Sequence, residues 1–177
     1  VCEKYGGELP ADYGHLLALP GIGDYTAGAI ASIAFGLPVP AVDGNVLRVA
    51  ARLDNDFTPI TDPKYKKLTR ERFAAIMPTD RPGDFNQSLM ELGATTCLPN
   101  GAPLCSDCPV QHLCLGYHHG NAIQLPVRAA KKMRRTENRT VLLIRYGTLI
   151  GIRRRPDSGL LAGLWELPAL EGALSPD

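Results

Sequence analysis

Apolar side chains recur every three or four residues through the first half of the chain, with charged and polar residues between them. This spacing predicts amphipathic helices. The predicted helices cover residues 11–19 and 24–36, a segment that opens at Asp43, residues 62–77 and residues 83–97. The side chains predicted to face inward are Ala27, Ile30 and Ala34 in the second helix, Val46, Val49, Ala50 and Leu53 in the third, Tyr65, Leu68, Phe73 and Ile76 in the fourth, and Phe85, Leu89 and Leu92 in the fifth. We therefore expect a helical structure up to residue 96.

The pattern changes near residue 139. The stretch "TVLLIRYGTLIGIRRR" predicts two β-strands around Tyr146–Gly147. We place a domain boundary near residues 120–138. The predicted parts are a helical portion (1–96), a cysteine-containing loop (97–114), a basic linker (115–138) and a second domain (139–177).

The stretch "PGIG" separates the first two long predicted helices. Gly21 and Gly23 allow backbone N–H groups to approach a phosphate without a Cβ in the way, and Asp24 is predicted to cap the following helix. A helix, a turn of this kind and a second helix form a helix-hairpin-helix, predicted over about residues 12–36. The alternative is an ordinary turn between two helices with glycine at the C-cap. The glycine pair alone does not separate the two interpretations.

The composition, 45% hydrophobic and 21% charged, is that of a folded soluble protein. No apolar run is long enough to span a membrane, and we expect no membrane partner. The net charge is only +1, but residues 128–155 carry ten basic side chains and one acidic side chain. This block is either a contact for a polyanion, through Lys131, Lys132 and Arg134, or a solvated linker.

Four of the five cysteines lie between residues 97 and 114, spaced C-x7-C-x2-C-x5-C. Four thiolates so close together suit a [4Fe–4S] cluster, and a structural zinc site is the rival. The spacing favours the cluster because only two of the four cysteines form a close pair. The candidate ligands are Cys97, Cys105, Cys108 and Cys114.

Asp43 precedes the third predicted helix in the stretch "VDGNVLRV". As an N-cap it would satisfy a backbone N–H group. As a catalytic carboxylate it would stabilise positive charge that develops on a sugar when an N-glycosidic bond breaks. Both roles are compatible, because a capping carboxylate is fixed and ionised.

The stretches "LPGIGDYTAGAI" and "VDGNVLRV", taken in order with the cysteines, resemble the helix-hairpin-helix DNA glycosylases, most closely the adenine-specific MutY type. The last stretch, "GIRRRPDSGLLAGLWELP", resembles the start of the Nudix-like domain of the same glycosylases, and we expect Leu164 and Trp165 to be core residues. The resemblance therefore implies a mainly α-helical glycosylase portion with a [4Fe–4S] module, followed by the start of an α+β Nudix-like domain.

Residue roles follow from this resemblance. Asp43 is the catalytic carboxylate, Asn45 orients the sugar or the aspartate, and Tyr25 stands where relatives of the endonuclease III type place a lysine that attacks the sugar. Tyrosine cannot form an imine, so we expect base removal without efficient strand cleavage. The residues implied to contact DNA in the helical portion are Gly21, Ile22, Gly23, Thr26 and Arg48.

The implied activity is hydrolysis of the N-glycosidic bond of adenine mispaired with 8-oxoguanine or guanine, in base excision repair. The implied partner is double-stranded DNA, bound by a monomer that is cytoplasmic and nucleoid-associated if the source is prokaryotic. The alternatives are a bifunctional glycosylase/lyase of the endonuclease III type and a non-catalytic DNA-binding remnant.

The chain departs from the family pattern in two ways. The gap between Cys97 and Cys105 is one residue longer than the usual x6, which a loop containing Gly101 and Pro103 can absorb. The family's general-acid glutamate, near a Gln-Gln-Thr stretch, has no match after Val1. We therefore expect the chain to be a fragment of a longer protein, with weak or no activity alone.

Overall fold

The computed structural model describes residues 1–129, 133–134 and 136–175. The chain divides into two compact units, Val1–Ala130 and Lys131–Asp177. This division lies inside the predicted linker, 115–138. Lys131 and Lys132, two of the predicted DNA contacts, lie outside the described residues.

The first unit is built from helices, which confirms the helical prediction up to residue 96. Its helices are α1 (Cys2–Tyr5), α2 (Tyr13–Leu17), α3 (Asp24–Ala29), α4 (Gly44–Leu53), α5 (Pro63–Ile76), α6 (Pro82–Thr95) and α7 (Leu115–His118). A π-helical turn, Ile30–Ala34, continues α3, and two 3₁₀ turns, Cys105–Asp107 and Gln111–Leu113, lie in the cysteine loop. Among the described helices, none has the length and apolar character needed to cross a membrane.

Helix α4 lies at the centre of this unit. All seven residues from Val46 to Arg52 are buried, and the helix packs against α5, α6 and α7. The predicted inward face is confirmed, because Val46, Val49 and Ala50 are at most 4% exposed. A helix buried on every side positions whatever stands at its N-terminus, and that residue is Asp43.

Two predicted inward faces need correction. In α3 and its π turn, Ala34 is exposed and Ala31 is buried in its place, because a π turn widens the helix and rotates the residues that follow. In α5, Leu68 and Ile76 are exposed. The buried residues of α5 are spaced four apart, at Tyr65, Thr69 and Phe73, so the inward face is narrower than predicted.

A buried amide connects α6 to the segment that leads into α4. Asn86 is 1% exposed, and its Oδ1 accepts a hydrogen bond from the backbone N–H of Ala41 at 3.0 Å. Its Nδ2 donates to Ser32 Oγ at 2.7 Å and to the Val39 carbonyl at 2.9 Å. A fully satisfied buried amide fixes the chain on both sides, so the approach to Asp43 is held at a defined position.

The described residues of the second unit form six short strands, β1 (Arg139–Val141), β2 (Arg145–Tyr146), β3 (Leu149–Ile150), β4 (Arg153–Arg154), β5 (Trp165–Glu166) and β6 (Ala169–Glu171). They form three antiparallel pairs, β1 with β6, β2 with β3 and β4 with β5. The predicted strands around Tyr146–Gly147 are confirmed as the β2–β3 hairpin. The prediction that Leu164 and Trp165 are core residues is wrong, since they are 54% and 65% exposed on a two-stranded pair that buries neither.

Tyr65 offers a test of the first unit's packing. It is 3% exposed, its hydroxyl has no hydrogen-bond partner among the described residues, and burial raises its pKa to about 12. Replacing Tyr65 by phenylalanine is expected to leave the free energy of unfolding unchanged or to raise it by about 1 kcal/mol, because a buried unpaired hydroxyl is costly. Urea denaturation checks this, and a loss of more than about 1 kcal/mol would show that the hydroxyl has a partner.

Candidate functional site

The hairpin between α2 and α3 presents an exposed turn. Asp12 caps α2 by accepting a hydrogen bond from the backbone N–H of His15 at 2.8 Å. Gly21 adopts the left-handed conformation with φ 80°, which a residue with a side chain rarely takes. Gly23 is the extended N-cap of α3. The turn therefore brings bare backbone to the surface at the start of α3.

Asp24 does not cap α3 as the sequence predicted. It is the first residue inside the helix, and its Oδ1 accepts hydrogen bonds from the Tyr13 hydroxyl at 2.8 Å and from Arg70 Nη1 at 2.6 Å. These two hydrogen bonds hold the pKa of Asp24 below its usual value. The Arg70 guanidinium also lies over the Tyr13 ring, 4.6 Å from its centroid. The carboxylate thus ties the hairpin to α5.

Tyr25 and Thr26 follow on the exposed side of α3. Tyr25 is 42% exposed, and its hydroxyl donates to the Met90 sulfur of α6 at 3.4 Å. Ile22, in contrast, is half-buried and packs against the apolar cluster that joins α2 and α3. The predicted hairpin contacts therefore present backbone at residues 21–23 and a side chain at Thr26.

Asp43 caps α4, which is one of the two roles that the sequence predicts for it. Its Oδ1 accepts a hydrogen bond from the backbone N–H of Val46 at 2.8 Å, and its Oδ2 accepts one from Asn45 Nδ2 at 3.0 Å. The side chain is half-buried, so it keeps an open side toward solvent. Two hydrogen bonds to the carboxylate fix its orientation.

Asn45 is held from its other end. Its Oδ1 accepts a hydrogen bond from Arg48 Nη2 at 2.8 Å, which fixes the amide so that Nδ2 faces Asp43. Arg48 also donates from Nη2 to the Gly93 carbonyl at 2.6 Å and from Nε to the Cys97 carbonyl at 2.7 Å. A chain of hydrogen bonds therefore runs from the Asp43 carboxylate to the first cysteine of the loop.

This geometry corrects the sequence interpretation of Arg48. The residue is 3% exposed, burial lowers its pKa, and its donors are directed at protein acceptors. It is therefore not available to a DNA phosphate. The close approach of α6 to α4 also requires a glycine at position 93. A Cβ on Gly93 would lie 2.6 Å from the Asn45 Cβ.

Arg52, one turn further along α4, contacts the cysteine loop directly. It is 3% exposed, and its Nη1 donates to the Cys97 sulfur at 3.2 Å and to the Leu98 carbonyl at 2.9 Å. Its own carbonyl accepts from the Cys114 thiol at 3.3 Å. One buried residue of α4 thus contacts both the first and the last cysteine, a role that the sequence analysis missed.

The four predicted ligand cysteines line one pocket together with Arg52 and Tyr117, whereas Cys2 is exposed elsewhere. Burial, and then the neighbouring cysteines, raise the pKa values of the Cys105 and Cys114 thiols. The segment between Cys97 and Cys105, which is one residue longer than expected, folds back on itself. Gly101 is left-handed, and the Leu104 N–H donates to the Thr96 carbonyl at 2.9 Å. The extra residue therefore does not remove Cys97 from the set.

Among the described residues, no group of three or more His, Cys, Asp or Glu is close enough to hold a single metal ion. Thiolates around one zinc ion lie about 4 Å apart, because each Zn–S bond is about 2.3 Å long. Four thiols that line one pocket are a donor set that either a cluster or a zinc ion can use.

Comparison with known proteins finds similarity to DNA glycosylases. A family model described as the helix-hairpin-helix motif matches residues 4–33. The chain is 36% identical to an adenine DNA glycosylase of Mus musculus over 96% of this chain, and 41% identical to one of Arabidopsis thaliana over 92%. It spans 41% of the mouse protein and 28% of the plant protein, so it covers less than half of these relatives' length.

Solved structures resemble the chain at the level of fold and sequence. A thermostable thymine-DNA glycosylase aligns with a TM-score of 0.56 and 32% identity over 67% of this chain and 54% of that one. A non-covalent endonuclease III–DNA complex aligns with a TM-score of 0.55 and 33% identity, over 67% and 53% of the two chains. With the hairpin and the Asp43 site at hand, these likenesses support a helix-hairpin-helix glycosylase of the MutY type.

Proposed function

We propose that this protein removes adenine from duplex DNA where the base is mispaired with 8-oxoguanine or guanine. The observation that carries the proposal is the Asp43 carboxylate, fixed by Val46 and Asn45 and still open on one side. The names of the relatives support adenine as the base. The endonuclease III–DNA complex supports duplex DNA as the partner.

In the proposed mechanism, the adenine nucleotide leaves the base stack and enters the site. Breaking the N-glycosidic bond gives the sugar oxocarbenium character, and the Asp43 carboxylate stabilises that positive charge. Asn45 keeps the carboxylate oriented through its hydrogen bond to Oδ2. Water then adds to the sugar carbon and leaves an abasic site. We assign no residue of this chain to protonation of the departing base.

We further propose that the protein hydrolyses the glycosidic bond without cleaving the DNA strand, because residue 25 is a tyrosine. It lies in the first turn of α3, and its phenol offers no amine to form an imine with the sugar. A glycosylase/lyase of the endonuclease III type would need a nucleophilic amine at this place. We therefore propose a monofunctional hydrolase.

The hairpin would hold the DNA backbone. Residues 21–23 expose backbone at the start of α3, where the first N–H groups of a helix have no partner within it. Phosphate contacts of this kind position the duplex without reading its sequence. Thr26 would add a hydroxyl contact from the same surface. Arg134 is exposed in the second unit and stays a proposed phosphate contact.

We also propose that Cys97, Cys105, Cys108 and Cys114 hold a [4Fe–4S] cluster. The four cysteines fit such a group, since they line one pocket and only two of them form the close pair that is typical of zinc sites. The cluster would cross-link the loop and shape the surface around it, and it would take no part in breaking the glycosidic bond. The strands of residues 139–177 are proposed to be the start of a Nudix-like domain, which the β2–β3 and β4–β5 pairs support.

The cluster proposal predicts a defined composition. Anaerobically purified protein is expected to contain about four irons and four sulfides per chain.

Replacing Arg52 by methionine is expected to lower cluster retention in air several-fold, because Cys97 loses a buried N–H···S hydrogen bond. Iron analysis and visible absorbance check both. Stoichiometric zinc without sulfide would contradict the cluster, and unchanged retention in the Arg52→Met variant would contradict the role of Arg52.

The hydrolase proposal is tested on a duplex with one A:8-oxoG pair, using the protein expressed from its complete reading frame. The adenine strand is expected to break only after alkali treatment, and borohydride is expected to trap no covalent adduct. Strand breaks without alkali, together with a trapped adduct, would favour the bifunctional alternative. A duplex that stays intact after alkali would contradict base removal itself.

A further inference from the structure

A basic pocket lies beside the hairpin, between the start of α3 and the segment before α4. It is lined by Asp24, Val42, Pro63, Lys66, Lys67 and Arg70. Asp24 opens the helix that follows the hairpin, and Val42 directly precedes Asp43. The pocket is therefore lined by the residue that follows the proposed phosphate-binding turn and by the residue that precedes the proposed catalytic carboxylate.

The charge balance of this pocket is positive, with three cations against one carboxylate. Arg70 is engaged with Asp24 at 2.6 Å and neutralises it. Lys66 and Lys67 are exposed. Lys67 has one loose ion pair, with Glu71 at 3.9 Å, in which both side chains are more than 60% exposed, and such pairs contribute little. The two lysines are thus left to face solvent from a fixed helix.

Four arginines of the first unit are used differently, whereas Lys4 and Lys64 are exposed but do not line the pocket. Residues 1–127 carry nine basic and thirteen acidic side chains, so the unit as a whole repels a polyanion. Arg48 and Arg52 are buried, and Arg72 and Arg81 pair with carboxylates. A positive patch beside the hairpin is therefore a local exception to an acidic surface.

We infer that Lys66 and Lys67 of α5 form a second phosphate-binding surface, which holds the DNA strand next to the hairpin. This inference rests on the proposed function, because it takes duplex DNA as the ligand. The five residues of α5 from Lys66 to Arg70 rise about 6 Å along the helix axis. Phosphates of one strand follow each other about every 3.4 Å along the duplex axis. The patch is therefore long enough to face two consecutive phosphates beyond those at the hairpin.

The experiment compares two double variants of the whole protein with its cluster loaded. Lys66→Gln/Lys67→Gln removes the proposed contacts, and Lys4→Gln/Lys64→Gln removes the same charge from exposed lysines that do not line the pocket. Binding is measured by anisotropy from 50 to 300 mM KCl, on a duplex with a non-hydrolysable adenine analogue opposite 8-oxoguanine and on an unmodified duplex.

The first variant is expected to bind both duplexes roughly tenfold or more weakly and to flatten the slope of log K against log [KCl] by about 1.8, with the mispair preference unchanged. Its thermal midpoint is expected to match that of wild type. Equal affinities and slopes in the two variants would overturn the inference. Failure of wild type to release adenine would instead overturn the proposed function, whatever the slopes show.

Discussion

Replacing Asp43 by asparagine is expected to lower the single-turnover rate of adenine release by about 10³-fold or more. The amide keeps the hydrogen bond from the Val46 N–H, because asparagine caps helices as well as aspartate does. It loses the negative charge that would stabilise the oxocarbenium-like sugar. DNA affinity is expected to stay close to wild type, and the free energy of unfolding is expected to fall by about 1 kcal/mol, because the amide nitrogen that replaces Oδ2 cannot accept the hydrogen bond from Asn45.

Asp62 provides the matched control. It caps α5 as Asp43 caps α4, by accepting a hydrogen bond from the backbone N–H of Lys64 at 2.8 Å. The Asp62→Asn variant therefore makes the same chemical change at another helix N-terminus and is expected to release adenine at the wild-type rate. If Asp43→Asn is also unimpaired, Asp43 is a cap only and the proposed mechanism fails.

Replacing Arg48 by methionine is expected to destabilise the protein by about 2–5 kcal/mol. The change leaves the Gly93 and Cys97 carbonyls, now held by Arg48 at 2.6 and 2.7 Å, without a donor in a buried place. Asn45 also loses the partner that fixes its amide. At a temperature where the variant is folded, adenine release is therefore expected to be at least tenfold slower.

Arg72 separates this effect from a general loss of charge. It pairs with Asp54, and both side chains are substantially exposed, so Arg72→Met is expected to cost less than about 1 kcal/mol and to leave the rate unchanged. Urea denaturation and single-turnover kinetics measure both quantities. Equal stability losses in the two variants would show that the hydrogen bonds of Arg48 carry no special weight.

Features that depend on neighbouring residues could be predicted from the sequence. The hairpin glycines, the Asp43 cap and the strands around Tyr146–Gly147 follow from rules about neighbouring residues, and the structure contains each of them. The inward faces of α4 and the common pocket of the four cysteines also agree with the pattern. These features depend on residues within a few positions of one another.

Hydrogen bonds between residues that are far apart in the chain could not be predicted from the sequence. The family resemblance implied that Arg48 contacts DNA, and arginine is mostly an exposed residue. Its acceptors, at Gly93 and Cys97, come from residues more than forty positions away. Arg52 likewise meets Leu125, 73 residues further along. Two arginines four apart on an otherwise apolar helix were the available sign that one face of α4 meets buried carbonyls.

The π turn shows a different limit of periodicity. Ala34 was assigned to the core on a regular helical repeat, which a single wider turn displaces. Asp24 was assigned to the cap by residue type, yet Tyr13 and Arg70 bind its carboxylate and Gly23 takes the cap position. In both cases a tertiary contact or a local irregularity outweighed an intrinsic preference.

The identity of the released base tests the central claim most directly. The protein from the complete reading frame is incubated with duplexes containing A:8-oxoG, A:G, T:G and A:T pairs, and free bases are identified by mass spectrometry. We expect adenine from the first two duplexes and no base from the others. Release of thymine from T:G, or no adenine from A:8-oxoG, would contradict an adenine glycosylase built around Asp43.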